Sequence, residues 1–203
     1  LVGPHEQGFL KFQLRGLMVS ERHVNIESIF DSEHPAARFT ADCALQLEVC
    51  RSLIALADHL PRTMDREAIV YLVRALPATW AAHVAFQSEA AFPLLARRHE
   101  SDRHVFQCLG RLDQQHLEVA GVTDELVDQL RAFLGGDAVD TETLGRLARN
   151  ASERRREHVE WEAMLLDRLF PRVLAPVERQ DFAAWSSANP WPFDQTQQSV
   201  AGR

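Results

Sequence analysis

The strongest constraint on this chain is where its helix breakers fall. Glycine and proline are scarce inside long stretches and gather at their ends, as Pro61, Pro93, the Gly135-Gly136 pair and Pro171. Between these points apolar residues recur at intervals of three and four, the period of a helix with one face turned inward. Proline interrupts a helix because it lacks a backbone donor, and glycine closes one by taking the left-handed conformation. The spacing predicts four long helices. The first covers residues 32–60, with Ser32 as N-cap and Pro61 as stop. Cys43, Leu47, Cys50, Ile54 and Ala57 form its expected buried face. The second follows Thr63, is kinked at Pro77 and ends at Phe92 before Pro93. The third opens at Ser101 or Asp102 and runs to Gly135-Gly136, and the fourth covers residues 141–170, closed by Pro171.

A further helix is expected around residues 8–20, and a short helix followed by a loose tail from Pro176 onward. Four long helices with short connections pack most simply as an up-down four-helix bundle. The expected fold is all-α, with an N-terminal helical extension over residues 1–30, the bundle over 31–174 and a C-terminal tail over 175–203.

Composition narrows the function. A net charge of −7 is unfavourable for general binding to nucleic acid or to an anionic membrane surface. No run of about 18 apolar residues is present, so no membrane-spanning segment is expected. Nor does a charged stretch followed by an apolar one mark a signal peptide at the start. Cys43, Cys50 and Cys108 are too few and odd in number for a disulfide framework, which fits reduced thiols in a cytoplasmic protein. No nucleophile motif such as Gly-x-Ser-x-Gly occurs, so a hydrolase is not expected.

The chain carries an internal repeat. His83-Val84-Ala85-Phe86-Gln87 reappears as His158-Val159-Glu160-Trp161-Glu162, and each is followed by a Phe-Pro pair, Phe92-Pro93 and Phe170-Pro171. The helix before each holds a histidine, His34 in the first half and His116 in the second. Helical phase sets His83 with Trp80, Phe86, Ala90 and Leu94, and His158 with Ala151, Trp161, Leu165 and Leu169. It sets His116 with Cys108, Leu109, Leu112, Val119 and Ala120, and His34 with Ala37, Ala41 and Ala44. One such histidine reads as a hydrogen-bonded core residue. Four in repeat-related positions on apolar stripes point to metal, because a buried imidazole without a partner is costly and neutral imidazole is a common metal ligand. His158 and Glu162, four apart, share a helix face and can grip one centre.

With Glu33-His34 on the first helix, His83 on the second, His116 on the third and His158-x-x-x-Glu162 on the fourth, residues 30–172 resemble the hemerythrin-like HHE cation-binding family. The resemblance implies non-haem iron, a di-iron site bridged by carboxylates, with O₂, NO or redox chemistry or iron handling. It implies the metal ligands His34, His83, Gln87, His116, His158 and Glu162. Gln87 departs from the pattern, standing where the family carries its first bridging glutamate. An amide oxygen is a neutral, weaker ligand, which leaves a looser iron pair, a single iron or another divalent ion open. Leu112 and Ala120 stand where a second histidine would flank His116, so a dedicated O₂ carrier is not expected.

Two other readings compete. A metal-free helical signalling or interaction bundle, with a protein partner or a homodimer, is favoured by Gln87. A ferritin-like di-iron enzyme would carry Glu-x-x-His, but Trp80, Asp113 and Arg155 precede His83, His116 and His158 by three. His5, His23, His59, His99 and His104 read as solvated, Arg154-Arg155-Arg156 as a solvated helix face, and Cys43 and Cys50 as small core residues. Trp80 and Trp161 read chiefly as packing, with shielding of a metal pocket as a second role.

Overall fold

A computed structural model describes residues 34–60 and 66–190. The expected helix around residues 8–20, the Ser32 cap and the chain beyond Pro190 lie outside the described residues. Within them the fold is all-helical, with five helices: α1 (Pro35–His59), α2 (Arg66–Arg98), α3 (Arg103–Gly135), α4 (Thr141–Leu166) and α5 (Pro176–Ala188). α1 packs most extensively on α4, α4 on α3, and α3 on α2.

The ends follow local chemistry. α3 opens on Asp102, whose carboxylate accepts from the backbone of His104 and Val105, and closes on Gly136 at φ 92°. Only glycine takes that conformation without steric cost. Asp140 caps α4 in the same way, accepting from Glu142 and Thr143. α1 begins differently. Its N-cap is His34, whose Nδ1 accepts from the Ala36 amide at 3.1 Å, with Pro35 as the first helical residue.

Two expected stops moved. Pro93 does not end α2, which continues to Arg98 through a π-helical turn, Phe86–Ala91, in which the Phe92 amide reaches back to the Gln87 carbonyl. The widened turn sits directly before the proline, whose ring would otherwise press on the carbonyl four residues back. α4 stops at Leu166, four residues short of Phe170, because the chain turns there instead of running on to Pro171.

The buried face of α1 is also rotated from the expected one. Ile54 is 39% exposed, while Phe39, Asp42, Gln46, Val49 and Leu53 are buried alongside Cys43 and Cys50. Ala41 and Ala44, expected on the His34 stripe, are exposed and Ala37 is half-buried.

Length and composition alone would let α2 cross a membrane, against the expectation that no segment could. In this fold its Ile69, Leu72, Leu76, Phe86 and Leu95 are buried in the core. That core is two apolar clusters. One gathers Phe39, Phe86, Phe92, Leu95, Leu112 and Leu166; the other gathers Leu53, Ile69, Leu76, Leu126, Leu130 and Leu144. α5 belongs to the first. Phe182 is buried against Phe86, the Trp185 indole donates to Glu89 at 2.9 Å, and Glu178 pairs with Arg98. Along each of α1 to α4, polar side chains interrupt the passage from one cluster to the other.

Candidate metal centre

Each long helix contributes to this buried polar layer. α1 supplies Asp42 and Gln46; α2 supplies Thr79, His83 and Gln87; α3 supplies His116; and α4 supplies Arg155, His158 and Glu162. All are at most 3% exposed. Their positions follow helical periodicity, for Asp42 and Gln46, His83 and Gln87, and His158 and Glu162 are each four apart and share a face.

His83, His116, His158 and Glu162 bring one ligand atom each within 4.8 Å of one another. The Nε2 atoms of His83 and His158 are 3.1 Å apart, and Glu162 Oε2 lies 3.6 Å from the first and 3.7 Å from the second. Both rings are held from behind. Asp42 Oδ2 is 2.5 Å from His83 Nδ1, and Gln115 Oε1 is 3.2 Å from His158 Nδ1. A proton on each Nδ1, donated to those oxygens, leaves Nε2 of both rings facing the shared centre. Acceptors of this kind fix the tautomer and orientation of metal-ligating histidines. His116 meets the other two rings edge-on, with its centroid 5.2 Å from His83 and 4.8 Å from His158.

Aromatic rings close the layer. Trp80 stacks on His83 at 4.6 Å between centroids and donates its indole N–H to the His116 carbonyl at 3.2 Å, and Phe92 stacks on His116 at 5.9 Å. Trp80 thus packs against three histidines at once, whereas Trp161 is only half-buried.

Charge is strained here. Burial pushes the Glu162 carboxyl up to about 8, helped by Asp42 and resisted by His83. Burial and the neighbouring His83 hold His116 down at about 3, and burial, His83, His116 and Arg155 hold His158 down at about 2. His83 is the exception. Burial pulls it down, but the Asp42 and Glu162 carboxylates prevail and its proton affinity is raised.

Several buried polar atoms in the layer lack a hydrogen-bond partner among the described residues: both oxygens of Glu162, both amide atoms of Gln87 and both ring nitrogens of His116. Each such group costs about 1–3 kcal/mol. A cation satisfies the Glu162 oxygens and an imidazole nitrogen together, and three imidazoles with one carboxylate suit a borderline divalent ion. The residues present therefore fit a metal ion.

Of the six residues expected as ligands, His83, His116, His158 and Glu162 are brought together. Gln87 is buried one turn beyond His83, inside the π-helical turn. His34 is outside the group, its Nδ1 being used to cap α1. Asp42, Gln115 and Arg155 were missed. Arg155 is fully buried while Arg154 and Arg156 pair with Glu157 and Glu160 in solvent, so the arginine run is not a uniformly solvated face. The signal for Arg155 was its phase, three residues before His158 on the same inward stripe. Of the histidines expected in solvent, His104 is exposed, while His59 and His99 are half-buried against the backbone carbonyls of Ala55 and Leu169.

Comparisons with family models, with curated proteins and with solved structures return no match.

Proposed function

We propose that this chain is a hemerythrin-like metal-binding protein, an up-down four-helix bundle formed by α1 to α4 that holds non-haem iron in its polar layer. The observation that carries this reading is the His83, His116, His158 and Glu162 group, whose ligand atoms lie within 4.8 Å of one another while neither Glu162 oxygen has a hydrogen-bond partner among the described residues. A metal-free interaction bundle would leave those atoms unsatisfied in the core, at a cost a simple packing layer has no reason to carry.

His83, His158 and Glu162 would hold the ion from α2 and α4, and His116 from α3. Asp42 and Gln115 keep a proton on the far nitrogen of two of the rings, and Trp80 and Phe92 exclude water. Iron bound there supplies one-electron redox chemistry and affinity for a diatomic gas such as O₂ or NO. That chemistry suits sensing or iron handling in the cytoplasm, where Cys43, Cys50 and Cys108 remain free thiols.

The test is metal analysis of protein produced with excess iron and purified without chelators. At least one transition-metal ion per chain is expected. Preparations devoid of metal, and unable to take up Fe(II) anaerobically, would remove this reading.

A further inference from the structure

One full charge in the polar layer has no part in ligation. Arg155 is fully buried, one turn before His158 on α4. Among the described residues its three hydrogen-bond acceptors are neutral: Gln46 Oε1 at 2.8 Å, Thr79 Oγ1 at 3.3 Å and the Leu76 carbonyl at 3.4 Å. Its guanidinium carbon lies 4.9 Å from the centroid of the Trp80 ring, the same indole that stacks on His83. Gln46 relays it to the ligands. While accepting from Arg155, Gln46 donates from Nε2 to Asp42 Oδ1 at 3.3 Å, and Asp42 holds His83.

A buried cation with only neutral acceptors is unfavourable unless nearby anions balance it. Among the described residues the buried anions are Asp42 and Glu162. With both ionised, the histidines neutral and Arg155 charged, the layer carries one net negative charge. A single divalent ion turns this into one net positive charge, and a second would leave three positive charges in a region water does not reach.

Ligand supply gives the same answer. Glu162 is the one carboxylate in the ligand group, Asp42 is committed to His83 and Gln46, Gln87 offers only an amide, and His34 caps α1. Among the described residues a second ion would have no buried carboxylate of its own, for Asp113, 3.7 Å from His116 Nδ1, is exposed. A guanidinium keeps its charge at neutral pH, so this positive charge is a permanent part of the layer.

We infer that Arg155 is the resident cation of this layer and that it restricts the centre to one divalent metal ion, where the family resemblance implies two. The inference rests on the metal-binding reading above and specifies its stoichiometry.

Anaerobic titration of the full chain with Fe(II), and separately with Co(II), tests it by optical and magnetic readout. The wild type should take up one equivalent and show no magnetic coupling between ions. Arg155→Met keeps length and apolar bulk without charge and should bind a second equivalent about tenfold or more tightly than the wild type does, while Arg155→Lys should stay at one. If circular dichroism shows that Arg155→Met does not fold, Gln87→Glu tests the same charge balance by adding an anion, and the second equivalent should again tighten about tenfold. Two equivalents of similar affinity in the wild type would overturn the inference while leaving the metal-binding reading intact. So would an unchanged second-ion affinity in the folded variant. No uptake at all defeats both.

Discussion

Asp42 grips His83 through a 2.5 Å contact to Nδ1, and that contact decides which ring nitrogen faces His158 and Glu162. Replacing Asp42 with asparagine keeps the shape and removes the charge. Partners of this kind are worth roughly 10–100-fold in metal affinity, so D42N should weaken binding by that factor with helical content unchanged. A D42N protein that binds as tightly as the wild type would show His83 to be held by something else; His59→Ala is the control that should change nothing. Glu162, raised to about 8, and His83, also raised, hold protons near neutral pH that a cation must displace. Affinity should therefore climb as pH rises from about 6 to 8, with protons released on binding in weakly buffered solution. An affinity flat across that range would mean Glu162 is not a ligand. The four clustered side chains, His83, His116, His158 and Glu162, were legible from the sequence because repeat position and helical phase both selected them. Asp42 was not, since a stripe drawn through Cys43, Leu47 and Ile54 is rotated just far enough to leave the acid off the face. Arg155 was hidden by its neighbours, because three consecutive arginines read as solvent-facing until the inward phase of His158 is applied to the middle one.

At the scale of elements, the ends of α3 were the most readable part of the chain. Asp102 and Gly136 cap it in the structure, each with a local chemical reason, whereas Asp140 at the start of α4 and His34 at the start of α1 were not anticipated as caps. Gly136 closes α3 at φ 92°, whereas Gly121 lies inside the same helix, where an added Cβ meets nothing within 4 Å. Glycine-to-alanine changes at these positions should thus act in opposite directions. Gly121→Ala should stabilise by about 0.5–1 kcal/mol by reducing the freedom of the unfolded chain. Gly136→Ala should destabilise by about 1 kcal/mol or more, because alanine is strained at positive φ. Chemical denaturation of both variants decides it, and equal shifts would mean that the C-cap geometry is not what stops α3. Pro93 was less readable. A proline normally ends a helix, but here the chain widens into the π-helical turn Phe86–Ala91 and continues. The widening includes Gln87 and lies directly beside His83 of the candidate metal centre, in keeping with the tendency of π-helical turns to occur at functional sites. α5 was foreseen as a short helix, but not its docking. Phe182 and Trp185 cover Phe86 of that turn, a long-range contact that the period of α5 alone does not specify.

For the whole molecule, the clustered histidines and Glu162 place opposing demands on the metal-free fold, and pH separates them. His116 and His158 have folded values lowered from 6.5 to about 3 and about 2, so the stability gained by keeping them neutral is present above pH 6.5 and is lost as pH falls. Below that point the unfolded chain takes up two protons that the fold refuses. Glu162 has the opposite sign. Its value is raised from 4.5 to about 8, so its contribution is present below 4.5 and is lost as pH rises toward 8, and His83, also raised, adds to the loss above 6.5. Between 4.5 and 6.5 the unfolded chain binds two extra protons and the fold one, so stability should rise with pH by up to about 1.4 kcal/mol per unit. Above 6.5 the balance reverses, because the fold now holds the extra protons. Metal-stripped protein should accordingly show its highest Tm near pH 6.5 and lose stability on both sides. Adding Fe(II) or Zn(II) should raise Tm throughout and most of all near pH 8, because the ion takes the place of the protons on Glu162 and His83 and removes the alkaline decline. Thermal scans from pH 5 to 9, with and without metal, check both limbs. A metal-stripped Tm that rises steadily to pH 9 would show that the Glu162 carboxyl is ionised and satisfied without a cation, and the layer would then be a structural one.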